Sequence, residues 1–300
     1  MSYLIALMIV FIGFLWQVSI DGIQRKVTAK VHRRVGPPWY QTFMDIFKAL
    51  SKSSITHGFI YDFGVMMALG GTIATFMFLP FGNIVAFNGL DNFFVVVYLL
   101  AIGSLGMAMS ASGSGNAWAG IGIMRALTQM VAYEVPFMIV VFGMIHVYGT
   151  SSLSELAHVQ QMNGILGWHI FTMPLGAIVA FISLLGMLNK VPFDTPIAPT
   201  EIASGPMVEY GGKHFGMLML QHEFATLVEV GLFVNLFLGG GNLIEYLIKY
   251  FFVYTLVTLI YAVSARFRIE NVVTFFYGVP IVLSLVQAAI VIFTGLGVNV

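Results

Sequence analysis

Tyr3–Ile20 reads YLIALMIVFIGFLWQVSI, and the stretch after it, Asp21–Arg34, reads DGIQRKVTAKVHRR. The first is an uncharged run close to the roughly 20 residues that carry a helix across a hydrocarbon core. No basic residue precedes it and no small-residue cleavage site ends it, so it reads as a retained span and not as a removed leader. Composition extends this reading to the whole chain. The 300 residues are 59% hydrophobic and 9% charged, with a mean hydropathy of +0.92. A soluble chain is about a quarter charged, and these polar residues are too few to give every helix a face for water. Further apolar runs fall at about 63–84, 92–111, 126–149, 170–189, 215–237, 246–264 and 274–297, the second of these trailing into the glycine-diluted stretch SGSGNAWAGIG. The expected fold is all-α: one membrane domain over 1–300, with about eight transmembrane helices.

The positions of Lys and Arg test that layout, because cytoplasmic loops collect them. Residues 21–62 hold Arg25, Lys26, Lys30, Arg33, Arg34, Lys48 and Lys52. Taking every second loop, the series continues with Arg125, then Lys190 and Lys213, then Arg266 and Arg268, leaving only Lys249 of the 13 basic residues on the other side. Both termini are therefore expected outside and the basic loops in the cytoplasm. Acidic residues also number 13, so the net charge of zero gives no reason to expect a nucleic-acid partner. Cysteine is absent, which excludes disulfides, a cysteine-held zinc site and an iron–sulfur cluster ligated in the usual way.

Two of these loops are long enough to be structured, 21–62 and 190–214. In the first, Gly36-Pro37-Pro38 is a rigid break before Trp39–Lys52, where Phe43, Ile46, Phe47 and Leu50 recur at helical spacing and Asp45, Lys48 and Lys52 lie off the stripe. The pattern predicts a short amphipathic helix on the membrane surface. The second is rich in Pro and Gly and holds Asp194, Glu201 and Glu209. No repeat of 20–50 residues supports a transporter built from repeats.

Ionisable residues inside spans are costly in lipid and are candidates for function. Glu134 lies two residues before Pro136, which cannot donate to the Ala132 carbonyl, so water and a mobile proton are plausible beside it. His222, Thr226 and Glu229 share a helix face by their spacing, and Glu223 is turned about 100° away. The plainer alternative, neutral side chains hydrogen-bonded between packed helices, stays open for all four ionisable groups. Other motifs fail. His222-Glu223 lacks the second histidine of a zinc-protease helix, since residue 226 is Thr. Gly113-Ser114-Gly115 fits a pliable connection and not a nucleotide loop. The remaining histidines are scattered, and Arg125 with Gln129 could simply anchor a helix end among headgroups.

Four ordered motifs resemble the proximal membrane subunit of respiratory complex I, known as its H subunit. They are Gln24-Arg25-Lys26 with Arg33-Arg34-Val35-Gly36-Pro37, Asp45 and Lys48; Arg125-Ala126 through Gln129 to Tyr133-Glu134; Pro192-Phe193-Asp194 with Glu201, Ser204-Gly205 and Val208-Glu209-Tyr210; and Ala265-Arg266-Phe267-Arg268. The resemblance implies a non-catalytic subunit in a prokaryotic cell membrane, joining a peripheral redox arm to antiporter-like membrane subunits. It implies that Glu134, Glu201 and Glu209 belong to an ion path, to which the span residues His222, Glu223 and Glu229 are added. It places Arg25, Arg33, Arg34, Asp45, Lys48, Arg125 and Asp194 near the redox arm. No cofactor is expected on this chain; iron–sulfur clusters and a nickel–iron (NiFe) or related centre are expected in a small and a large partner subunit.

Departures from the quinone-reducing members are also visible. Gln24 stands where those usually have Glu, Thr195–Thr200 lacks their acids, and the proline at 37–38 is doubled. These losses resemble membrane-bound nickel–iron hydrogenases, formate hydrogenlyases and sulfane-sulfur reductases. Two other readings compete: the quinone-site subunit of an NADH or related dehydrogenase, and a stand-alone secondary ion transporter. An intramembrane enzyme is disfavoured by the failed motifs.

Overall fold

A helix carrying His222, Glu223, Glu229 and Asn235 cannot turn those groups to lipid, so it must be enclosed by other helices. The computed structural model, which describes residues 2–87 and 89–294, places it accordingly. Its most apolar stretch is 78% buried, against 28–39% for the six other long apolar helices. In chain order the helices are α1 (Ser2–Val31), α2 (Gln41–Leu50), α3 (Phe59–Phe78), α4 (Phe93–Gly113), α5 (Ala117–Tyr148), α6 (Leu153–Met162), α7 (His169–Thr172), α8 (Pro174–Met187), α9 (Pro199–Ile202), α10 (Gly212–Phe237), α11 (Leu243–Val263) and α12 (Ile269–Thr294). The central helix is α10, which touches α1, α2, α3, α6, α7, α8 and α11. Around it α3 pairs with α4, α5 with α8 and α12, and α1 with α11.

Small residues set the tightest of these contacts. A Cβ on Gly71 would lie 2.9 Å from the Gly103 nitrogen, and one on Gly106 would collide with the Ala68 backbone. Bare backbone lets α3 and α4 approach closely, which is how helices gain packing where lipid offers no hydrophobic drive.

The loops segregate to two ends. At one end Arg266 reaches Asp194 (2.7 Å), Arg125 reaches Glu201 (2.7 Å) and His32 Nε2 lies 2.9 Å from the Ala262 carbonyl oxygen. The basic loops are therefore gathered together. At the other end Asn83 donates to Asn242, and Asp91 accepts from Ser152 (2.7 Å) and from the Ser154 backbone (2.9 Å).

Among the described residues, seven helices are long and apolar enough to cross a membrane, and α8 is a shorter apolar one. Against the about eight crossings expected, the remaining run forms a helix of 14 residues, about 21 Å long and short of the ~30 Å hydrocarbon core. The run at 170–189 is interrupted because Pro174 forces Met173 out of the helical region, to φ −130° and ψ 63°. The last expected span ran to 297; its residues 295–297 lie outside the described residues.

Three boundaries differ from expectation. Residues 21–31 are helix and not loop: α1 continues past Ile20 because Asp21 and Gln24 are buried and bonded to neighbouring helices. α5 starts at Ala117, capped by Asn116 through the Trp118 nitrogen (2.8 Å), so Arg125 sits inside the helix and not at its end. α5 also runs unbroken through Pro136. The surface helix forms as α2, but Phe47 is 59% exposed, and Thr42 with Ile46 makes the buried stripe against α1 and α10.

Candidate functional site

The side chains of α10 open onto two cavities separated by the helix itself. His222, Gln221, Ala225 and Glu229 line an inner cavity of about 120 Å³ together with Met130 and Tyr133 of α5 and Asn189 of the loop after α8. That is room for several waters. Glu223, one residue on and turned away, lines a vestibule of about 300 Å³ with Asp21, Gln24 and Arg25 of α1, Lys190, and Tyr254 of α11. A third space of about 40 Å³ is bordered by Glu229, Tyr133 and Glu134. The spacing argument for α10 holds: His222 and Glu229 share one cavity and Glu223 does not.

These spaces share walls. Glu229 and Tyr133 border both the inner cavity and the Glu134 space, while His222 is the one described residue bordering both the vestibule and the inner cavity. The order is therefore vestibule, His222, Glu229, Glu134.

Polar bonds fix the vestibule walls. Gln17 Nε2 donates to Glu223 (3.0 Å), and the Tyr250 hydroxyl donates to Gln17 Oε1 (2.5 Å). Arg25 bridges Asp21 (2.9 Å) and Asp45 (3.1 Å), and Thr42 donates to Asp21 (2.9 Å), which ties α2 to α1. Gln24 Nε2 donates to Thr255, whose own hydroxyl donates to the Phe251 carbonyl (2.7 Å). That second bond fixes the Gln24 amide, and its buried Oε1 has no partner among the described residues. An acceptor left open beside a polar cavity of this size is suited to water.

The remaining candidates lie on the loop end. Glu201 is paired with Arg125 and is 42% exposed at its side chain. Glu209 accepts from Asn116 and stands 3.8 Å from His57, so neither acid shares a cavity with Glu134 or Glu229. Asp194 is held by Arg266; burial pushes its carboxyl above the usual range, and the Arg266 guanidinium only partly offsets that. Arg33, Arg34 and Lys48 are exposed. Among the described residues no group of three His, Cys, Asp or Glu could hold a metal ion.

Sequence reasoning missed the α1–α11 wall of Gln17, Asp21, Tyr250 and Tyr254, and Lys190 of the loop after α8 beside it. The tyrosines at 246, 250 and 254 recur every fourth residue and so share a face, which is the signal that could have found them.

The same arrangement of helices is found in known proteins. A sequence model of the family described as NADH dehydrogenase matches residues 3–292. The chain belongs to that family. The H subunit of the NADH-quinone oxidoreductase of Chlorobaculum tepidum is 34% identical over 235 residues, covering 72% of this chain and 65% of the relative. Its counterpart in Chlorobaculum parvum is 33% identical with the same coverage. The chain thus matches less than two thirds of the length of these relatives. A chain in the solved structure of the membrane-bound sulfane sulfur reductase, an archaeal respiratory membrane complex, is 40% identical with a TM-score of 0.91. That match covers 96% of this chain and 99% of the other. The protein is therefore a multi-pass membrane protein, homologous to these H subunits and similar to a chain of a respiratory membrane complex.

Proposed function

We propose that the chain is the docking and ion-path subunit of a complex-I-like redox assembly of the membrane-bound hydrogenase or sulfane-sulfur reductase type. It binds no cofactor itself. Iron–sulfur clusters and a nickel–iron or related centre belong to a small and a large subunit seated on the loop end, and antiporter-like subunits lie alongside in the membrane. The loop end faces the cytoplasm and both termini face outside, in keeping with the distribution of Lys and Arg. The likeness to a complete chain of an archaeal respiratory complex, at 40% identity, favours the branch that does not reduce quinone. Gln24 and the acid-free Thr195–Thr200 favour it as well.

The observation that carries the ion path is the shared wall at Glu229, which joins the inner cavity to the space beside Glu134. Carboxyls spaced along water-sized cavities can pass protons, or hold sodium, without crossing dry lipid. Glu134→Gln keeps the shape and removes the charge. In vesicles holding the intact complex, this variant should move clearly fewer ions per electron pair while donor oxidation continues, because glutamine cannot take up and release a proton as a carboxyl does. Movement at the wild-type ratio would assign Glu134 to packing.

A further inference from the structure

The vestibule and the inner cavity meet at a single side chain. His222 borders both, and no other described residue does. Neither ring nitrogen takes part in a hydrogen bond with any described residue. Its neighbours around the vestibule differ: Gln17, Asp21, Gln24, Tyr250 and Tyr254 are each engaged in the bonds between α1, α2, α10 and α11. A polar ring inside a helix bundle that is left without protein partners usually serves a ligand, water or a proton. On the vestibule side it faces Asp21 and Arg25 of α1 and Lys190 of the loop after α8; on the inner side it precedes Glu229 by two turns of α10.

We propose that His222 is the valve of this path, a proton relay that is the one connection between the vestibule and the Glu229 cavity. This deepens the ion-path reading above and rests on it. Imidazole suits the place because its two nitrogens are chemically distinct and point in different directions. A neutral ring takes a proton from vestibule water on its free nitrogen. It then releases the proton already on the other nitrogen to water in the inner cavity. One proton enters, one leaves, and no electron moves. The ring returns to its starting tautomer by rotating between the two cavities, so each transfer needs a reset and the two waters never join. Unbroken water across the wall would instead leak.

The test uses the intact complex in vesicles, with protons moved per electron pair as the readout. His222→Gln keeps polarity and approximate size but cannot carry a proton. His222→Ala opens the wall. His222→Gln should lower the ratio well below the wild-type value, because an amide side chain cannot relay a proton. His222→Ala should raise passive proton permeability and regain transfer when imidazole is added to the medium. Because the ring makes no hydrogen bond with a described residue, both variants should assemble with all subunits, which size-exclusion chromatography reads. A wild-type ratio in His222→Gln would overturn the relay alone. Wild-type vesicles that move no ions during electron transfer would overturn the ion path and the relay together.

Discussion

Single residues explain where this protein tolerates charge. Asp91 is 3% exposed, yet it accepts from Ser152, from the Ser154 backbone and from the Ser154 hydroxyl, joining the turn before α4 to the cap of α6. Burial alone would raise its pKa, but these bonds hold it below the usual aspartate range. Asp91→Ala should cost about 2 kcal/mol, as for the loss of a charged hydrogen-bond acceptor. A lowered folded pKa stabilises fully above the unfolded value of ~3.9 and loses its effect as pH falls through the folded value. Melting curves in detergent should therefore show the wild-type advantage at neutral pH and its loss in acid; an advantage that persists or grows in acid would refute this role. At this scale the sequence was informative where neighbours are local. His222, Thr226 and Glu229 fall on one face by helix period alone. The bond from Gln17 to Glu223 spans 206 residues, and no local pattern carries such a distance.

At the level of elements, the one basic residue that broke the charge pattern has a structural reason. Lys249 of α11 donates to the Leu238 and Gly240 carbonyls (2.8 Å each) where α10 ends, and stacks over Trp168 at 4.4 Å. A cation at a helix C-terminus satisfies carbonyls that have no partner within the helix. Lys249→Met should cost about 1–2 kcal/mol, seen as faster amide hydrogen exchange at the end of α10; unchanged exchange there would make the contact incidental. The α3–α4 seam allows a harsher test. Gly106→Val should push the helices apart at a cost of about 1–3 kcal/mol, with a lower melting temperature in detergent. Long spans were legible because apolar length is a strong signal. Helix α6 was not, because it is short and polar, although Ser152 and Glu155 form an N-terminal cap and Leu153, Leu156, Ala157 and Gln160 keep the buried helical spacing. The end of α1 is not legible from hydropathy because its charged residues read as loop, whereas partners on α2 and α11 allow Asp21, Gln24 and Arg25 to stay in the helix.

For the molecule as a whole, the arrangement is one polar helix enclosed by apolar ones, with charge gathered at one end. That end exposes Lys48 of α2 and, before that helix, Arg33 and Arg34. Reversing charge at Arg33 and Arg34 should release the peripheral arm while the membrane subunits stay together, since the two side chains face outward; joint purification of both arms from the variant would count against it. The proposed branch also implies that a short-chain quinone is not reduced in an inhibitor-sensitive way at the physiological rate. Such reduction would move the protein to the quinone-reducing branch. On this reading the chain works only as part of a redox assembly, which purification in a gentle detergent puts to the test. The expected result is one stable multi-subunit particle containing iron–sulfur clusters, with nickel or a related metal centre in its largest subunit. A chain that purifies alone and transports ions across vesicles without any redox partner would contradict it.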